Sequence, residues 1–371
     1  MNSLAVPASA LLAALISGAP AFAQRWQVQY LYDQNKSTLV IADLRFPSAE
    51  RGIAVGYTDT GSRQDPTSVV TSDGGAHWRV VPLKELPVSL FFLNENVGWM
   101  VTAKGIWQTT ETGNNWTKVG KTPSPVLRVY FVNEKTGWAV GPRKAVFQTH
   151  DGGRHWTKLE AAESTPGDPD YSAYTWIAFA NPQLGVIAGY NQPPHHNWFD
   201  SERPEWLDPA GALARREPPH LNYTLITRDG GKTWRANSAA LFGETTRVRF
   251  APDGTGLGLI EYDQSSPFPT EVYKIDWRAG KSATLFKDKQ FSISDMWLDP
   301  DGKAYLAGTV SPGKLRDVIP GRVQVLESTD MKEWSEMPVD YRAVADRVTL
   351  ASAGGELWMA SDNGMILKLV K

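Results

Sequence analysis

The chain has 371 residues, with 38 Lys and Arg against 40 Asp and Glu, for a formal net charge of −2. That balance excludes the basic footprint of a nucleic-acid-binding protein, and the absence of cysteine excludes disulfides, thiolate metal sites and cysteine nucleophiles. Fifteen Trp, 32 Gly and 25 Pro within 42% hydrophobic content describe a globular β-protein of many short strands, neither helical nor disordered.

The chain begins with an apolar run, Leu4 to Phe22, that ends in Ala21-Phe22-Ala23 before Gln24. This is the small-x-small pattern of a secretory cleavage site. Pro7, Gly18 and Pro20 interrupt the run, which falls short of the ~20 apolar residues a membrane span needs. The expectation is a signal peptide over 1–23 and export to the periplasm or beyond. A single propeller domain over 24–371 would then carry no transmembrane span, and no lipoprotein anchor because no Cys follows the run.

Repeats dominate the rest of the chain. TSDGGAHW (Thr71–Trp78), TTETGNNW (Thr109–Trp116), THDGGRHW (Thr149–Trp156) and TRDGGKTW (Thr227–Trp234) share one pattern, and STDMKEW (Ser328–Trp334) contracts it. This is the Asp-box, or bacterial neuraminidase repeat, S/T-x-D-x-G-x-x-W. Its acidic residues here are Asp73, Glu111, Asp151, Asp229 and Asp330. The carboxylate and the hydroxyl two residues earlier can accept backbone N–H groups across a tight turn, so these residues read as structural. Glycine tolerates positive φ in that turn, and the Trp packs between sheets.

The first three box tryptophans are 38 and 40 residues apart, one four-stranded propeller blade each. A second pattern, clearest in LRVYFVNEKTGWAVG (Leu127–Gly141), precedes each box. Aligned on Val129 it reads Leu44, Leu90, Val129, Ile177, Val248, Met296 and Val348. Aligned on Phe131 it reads Phe46, Phe92, Phe131, Phe179, Phe250, Leu298 and Leu350. Apolar residues at period two mark half-buried strands. The prediction is an all-β, seven-bladed propeller of four-stranded antiparallel blades, strands A to D running outward from the axis. Blade 7 ends before its strand D, so Trp26–Tyr32 is assigned as the missing strand that closes the ring.

Antiparallel order puts the A–B turns on the same face as the Asp-box turns, and the D–A and B–C loops on the other. The A–B turns are short. The longest B–C loop, about 191–222 in blade 4, carries His195, His196, Trp198, Arg203, Arg215 and Arg216. Long loops on a rigid scaffold concentrate binding sites, so these are candidate partner-binding residues. The position of Arg128 reads Asp43, Ser89, Arg128, Trp176, Arg247, Asp295 and Arg347, near the loop-rich mouth of the channel. Either Arg128, Arg247 and Arg347 form an anion-binding cluster, or Asp43 and Asp295 partner them locally in a polar, water-filled channel.

The repeat text, above all GWAVGPRKAVFQTHDGGRHWTKL (Gly137–Leu159), resembles the Asp-box propellers of the photosystem II stability/assembly factor-like family. The resemblance implies an exported, seven-bladed, non-catalytic scaffold that holds a client membrane protein during assembly. It also implies a face of client-binding arginines, with Arg128, Arg247 and Arg347 as counterparts. Blade 5 lacks a box, and the blade-4 insertion departs from the compact repeat.

The same box occurs in sialidases, so a glycan-active hydrolase with a carbohydrate ligand is the alternative. Asp65, Asp200, Glu202, Tyr262 and Asp263 are its acidic and phenolic candidates. Arg45 aligns with Tyr130 and is expected to point to the wrong face for that chemistry. His195, His196, Asp200 and His220 read as a solvated loop in preference to a metal site. Neither a cofactor nor a metal is expected.

Overall fold

The computed structural model describes residues 24–370 except 35, 193–218, 252, 263–265, 277–280 and 311–319. The apolar leader and the candidates His195, His196, Trp198, Arg203, Arg215 and Arg216 therefore lie outside the described residues. No helix among the described residues is long and apolar enough to cross a membrane.

The described residues form seven antiparallel sheets arranged as blades. Their inner A strands are Thr38–Arg45, Pro87–Phe92, Arg128–Phe131, Ser172–Phe179, Gly243–Phe250, Phe291–Leu298 and Val348–Ala353. Blade 7 takes its outer strand from the start of the chain. Arg25–Leu31 pairs with Met365–Val370, Trp26 opposite Leu369 and Val28 opposite Leu367. Trp26 is also fixed to blade 6, its N–H donating to the Pro338 carbonyl at 2.8 Å. It is buried in the core between blades 6 and 7.

A repeated aromatic clamp joins neighbouring blades. Trp99 of blade 2 stacks on Phe131 of blade 3 with centroids 3.7 Å apart, and Trp138 of blade 3 stacks on Phe179 of blade 4. Trp358 of blade 7 stacks in the same way on Phe46 of blade 1, across the closure. The box tryptophan of the receiving blade then meets the same Phe edge-on: Trp78 on Phe46, Trp156 on Phe131 and Trp234 on Phe179. Offset and edge-to-face pairs of this kind add to plain area burial.

The box turns supply the fit. In Thr149–Trp156, the Thr149 hydroxyl donates to Asp151 at 2.9 Å and accepts from the Gly153 N–H at 3.0 Å. Asp151 also accepts the Arg154 and His155 N–H groups. Thr71 with Asp73, Thr227 with Asp229 and Ser328 with Asp330 repeat the arrangement. Glu111, one methylene longer, instead accepts from the side-chain amide of Asn115 at 2.6 Å. In two of these turns the second glycine, Gly75 or Gly231, is required twice over. Gly231 has φ +84°, and a Cβ there would lie 2.0 Å from Trp138 of the preceding blade.

Hydrogen bonds from the box turns to the A–B turns place both on one face: Gly74 to Glu50, Thr112 to Asn96, Gly152 to Lys135 and Gly230 to Gln183.

Candidate functional site

The inner strands carry a second regularity that periodicity alone does not show. Register shifts fall just ahead of Asp43, Ser89, Trp176, Arg247 and Asp295. A bulge re-aims the side chain that follows it. It brings these residues to the channel, where the next alternate positions, Arg45, Phe91, Arg249 and Trp297, share the same surface.

Two buried carboxylates organise the charge. Asp43 accepts the backbone N–H groups of Leu44, at 2.9 Å, and of Leu90 in the next blade, also at 2.9 Å. Its oxygens lie 3.2 Å from Arg45 and 3.6 Å from Arg128. Asp295 repeats the pattern in blade 6. It accepts from Met296 and from Leu350 of blade 7, and meets Arg249 at 3.1 Å and Arg247 at 3.5 Å. Burial tends to raise the pKa of Asp295, but Arg249, Arg247 and the two N–H donors outweigh it and hold the carboxyl below its ordinary range.

Between the two centres stands Trp176. Its indole N–H donates to the Val248 carbonyl at 2.7 Å, which fixes the ring. The guanidinium carbons of Arg128, Arg247 and Arg249 lie 4.1, 4.8 and 5.2 Å from the ring centroid. Blades 3 and 5 are thus bridged by an indole from blade 4, a cation–π arrangement that holds like charges at close quarters. The cost is visible in Arg128. Burial, with Arg247, Arg45 and Arg249 nearby, pushes its pKa down to about 9 against the pull of Asp43.

A cavity of about 420 Å³ occupies the A–B half of the channel. Arg45, Arg128 and Arg249 line it together with Phe91, Tyr130, Trp176 and Trp297. Arg247 is not part of that lining.

The expected site is corrected in three respects. Arg347 does not share the position of Arg128. The Asp295–Leu350 hydrogen bond matches Asp43–Leu90, so Leu350 stands where Leu90 does and Thr349, not Arg347, faces the channel. The strand pairing agrees, with Trp358 opposite Ala351 as Trp99 is opposite Phe91. A shift of two residues keeps every apolar position apolar, so a period-two pattern cannot detect it. Arg347 instead grips Glu261 through both nitrogens, at 2.7 and 3.1 Å.

Second, the cavity lies on the face of the A–B turns, with Pro47, Leu93 and Asn94 at its rim, and not at the loop-rich mouth. Third, Arg45 lies beside Tyr130 on the A–B face as its alignment implies, and because the cavity is on that face it is one of the walls. Arg45, Arg249 and Trp297 were missed because only one channel-facing position was read. Their signal was present in Asp43-x-Arg45 and Arg247-x-Arg249, alternate charges on strands otherwise apolar.

Of the hydrolase candidates, Asp65 is paired with Arg63 at 2.6 Å. Tyr262 donates to Glu271 at 2.6 Å. Burial and that carboxylate both push the Tyr262 pKa up, opposite to the activation a phenolate nucleophile requires. Asp200, Glu202 and Asp263 lie outside the described residues. Among the described residues no group of three or more His, Asp or Glu is placed to hold a metal ion.

No family model matches the chain. A curated relative, the photosystem II assembly lipoprotein Ycf48 of Synechococcus sp. (strain CC9902), is 21% identical over 278 residues, covering 70% of this chain and 76% of the relative. A solved structure of YCF48 bound to D1 peptide superposes with TM-score 0.60 at 16% identity, covering 93% of this chain and 97% of the other. YCF48 from Cyanidioschyzon merolae gives 0.58 at 12% identity, over 93% and 98%. At such identities the structural matches establish the fold. With the repeat text and the curated relative beside them, the chain is a seven-bladed β-propeller similar to the photosystem II assembly factor Ycf48.

Proposed function

We propose that the protein is an exported, non-catalytic propeller that binds a protein client, as the assembly factors it resembles do. The observation that carries this reading is the arginine-lined cavity around Trp176. It presents fixed positive charge and aromatic surface in a rigid ring, and its buried carboxylates Asp43 and Asp295 are committed to backbone N–H groups and arginines. Such groups recognise; they are not poised to exchange protons with a substrate. A solved structure similar to this chain, YCF48 bound to D1 peptide, supports a polypeptide as the class of partner.

The loop-rich face, with the blade-4 insertion, is a second contact surface in this reading. The test is capture from a solubilised membrane extract of the source organism. Wild-type protein should retain a defined polypeptide that a variant with Arg45, Arg128 and Arg249 all changed to Gln does not. Identical capture by a folded triple variant and by a variant with 193–218 replaced by a short turn removes both surfaces from consideration.

A further inference from the structure

We propose that the A–B half of the channel is a binding site for a carboxylate carried on a planar or apolar body, with Arg128 as its docking point. The inference rests on the reading of the propeller as a binding scaffold and specifies the chemistry of what the cavity takes.

Charge comes first. Among the described residues the ion-pair partners of Arg45, Arg128, Arg247 and Arg249 are Asp43 and Asp295, with Glu261, itself paired with Arg347, acting on Arg247 at longer range, so arginines outnumber carboxylates in a largely buried setting. Burial of unpaired charge is costly unless a counter-charge is supplied. The surplus is not evenly spread. Arg45 and Arg249 each hold an aspartate at 3.2 Å or less, and their Nε atoms donate to the carbonyls of Leu90 and Met296. Among the described residues Arg128 meets the far oxygen of Asp43, at 3.6 Å, and the face of Trp176 at 4.1 Å. Its planar fork lies in the cavity wall with its donors least used.

Geometry then selects the anion. A guanidinium stacked on an indole offers its N–H groups in one plane, which suits a coplanar, two-point carboxylate contact. The inner strand Arg128–Phe131 pairs on one side only, with Gly137–Val140, and the free-edge N–H groups of Leu90 and Leu350 are taken by Asp43 and Asp295, so contact with an anion falls to the guanidinium. The rest of the wall is Phe91, Tyr130, Trp176 and Trp297, which suits an apolar or aromatic body beside the carboxylate. Two sources supply this chemistry, a free small acid and the C-terminal carboxylate of a polypeptide.

The experiment uses the mature chain and four probes: phenylacetate, phenylacetamide, and one octapeptide ending in Phe with a free or an amidated C-terminus. Binding is read by tryptophan emission and by the shift in Tm. The expected result is that phenylacetate responds and phenylacetamide does not, and that Arg128→Gln weakens the response at least tenfold, with Arg128→Lys intermediate. Arg128→Gln leaves Asp43 paired with Arg45, and an unchanged circular dichroism spectrum verifies the fold.

If the free-ended peptide binds more tightly than phenylacetate and its amide does not bind, a chain end is the source. If neither peptide binds, the source is a free acid. Equal responses to acid and amide, or unchanged affinity in both Arg128 variants, overturn the proposal. Client capture is scored separately. A client retained by Arg128→Gln leaves the scaffold reading intact while the carboxylate site stands or falls on the probes.

Discussion

The carboxylate of Asp295, in blade 6, accepts the backbone N–H of Leu350, in blade 7, at 3.0 Å. Asp43 and Leu90 form the same bond between blades 1 and 2 at 2.9 Å. A single buried side chain in each case satisfies its own strand, its neighbour's strand and two arginines. Asp295→Ala removes one partner from a buried ionic centre and leaves Arg247 and Arg249 unbalanced. The expected cost is about 3–5 kcal/mol in urea denaturation. A loss below 1 kcal/mol would show that water or a rearranged arginine replaces the carboxylate.

The box carboxylates predict a response to acid. Backbone and side-chain hydrogen bonds from His77 hold Asp73 down at about 2, and bonds from Thr233 do the same for Asp229. A depressed carboxyl contributes stability that is fully present above its unfolded pKa, about 4, and is lost as pH falls towards 2. Asp73→Asn should therefore lower Tm at pH 7, and the gap to wild type should close between pH 4 and pH 2. A gap independent of pH would assign the effect to shape alone.

Gly231→Ala tests the clamp between blades 3 and 4. The added Cβ meets Trp138 at 2.0 Å, and φ is +84°. Overpacking and backbone strain together should cost about 1–3 kcal/mol or more. Gly61, with φ +81° but open space around it, separates the two terms. Gly61→Ala should cost visibly less in the same denaturation series.

Arg347→Gln distinguishes the corrected site from the expected one. Arg347 is half-exposed and pairs with Glu261, an arrangement worth about 0–1 kcal/mol. Its loss should leave stability nearly unchanged and alter phenylacetate affinity by less than about twofold, in contrast to Arg128→Gln. A tenfold loss would return Arg347 to the binding site.

How far the sequence reaches is set by which residues have unique partners. The Asp-box and its Trp have fixed places in a turn, so blade count and face parity could be read from Thr71–Trp78 and its copies. Trp26–Tyr32 could be placed because blade 7 lacked an outer strand. Blade 7 itself defeated the alignment, since RVTLAS offers Val348 and Leu350 at the same parity and no Phe to choose between them. Only the bond from Leu350 to Asp295 decides. The cavity was half legible: Arg128 and Arg247 were named, but the meeting of blades 3 and 5 over Trp176 depends on channel width, which no spacing encodes.

The pairing of Arg25–Leu31 with Met365–Val370 also sets an order of events. The first strand of the propeller has no sheet partner until Met365–Val370 exists, and before that only Trp26 can dock, on blade 6 at Pro338 and Asp340. Until then Met365–Val370 and the core around Trp26 stay open, and both unpaired edges invite pairing with other chains. The final hydrogen bonds join residues more than 330 positions apart, the most expensive loop the chain can close, about 2 kcal/mol beyond closure of a single blade on the logarithmic scale of loop entropy. Anything that occupies Arg25–Leu31 competes with Met365–Val370 for it and leaves the ring open at this seam.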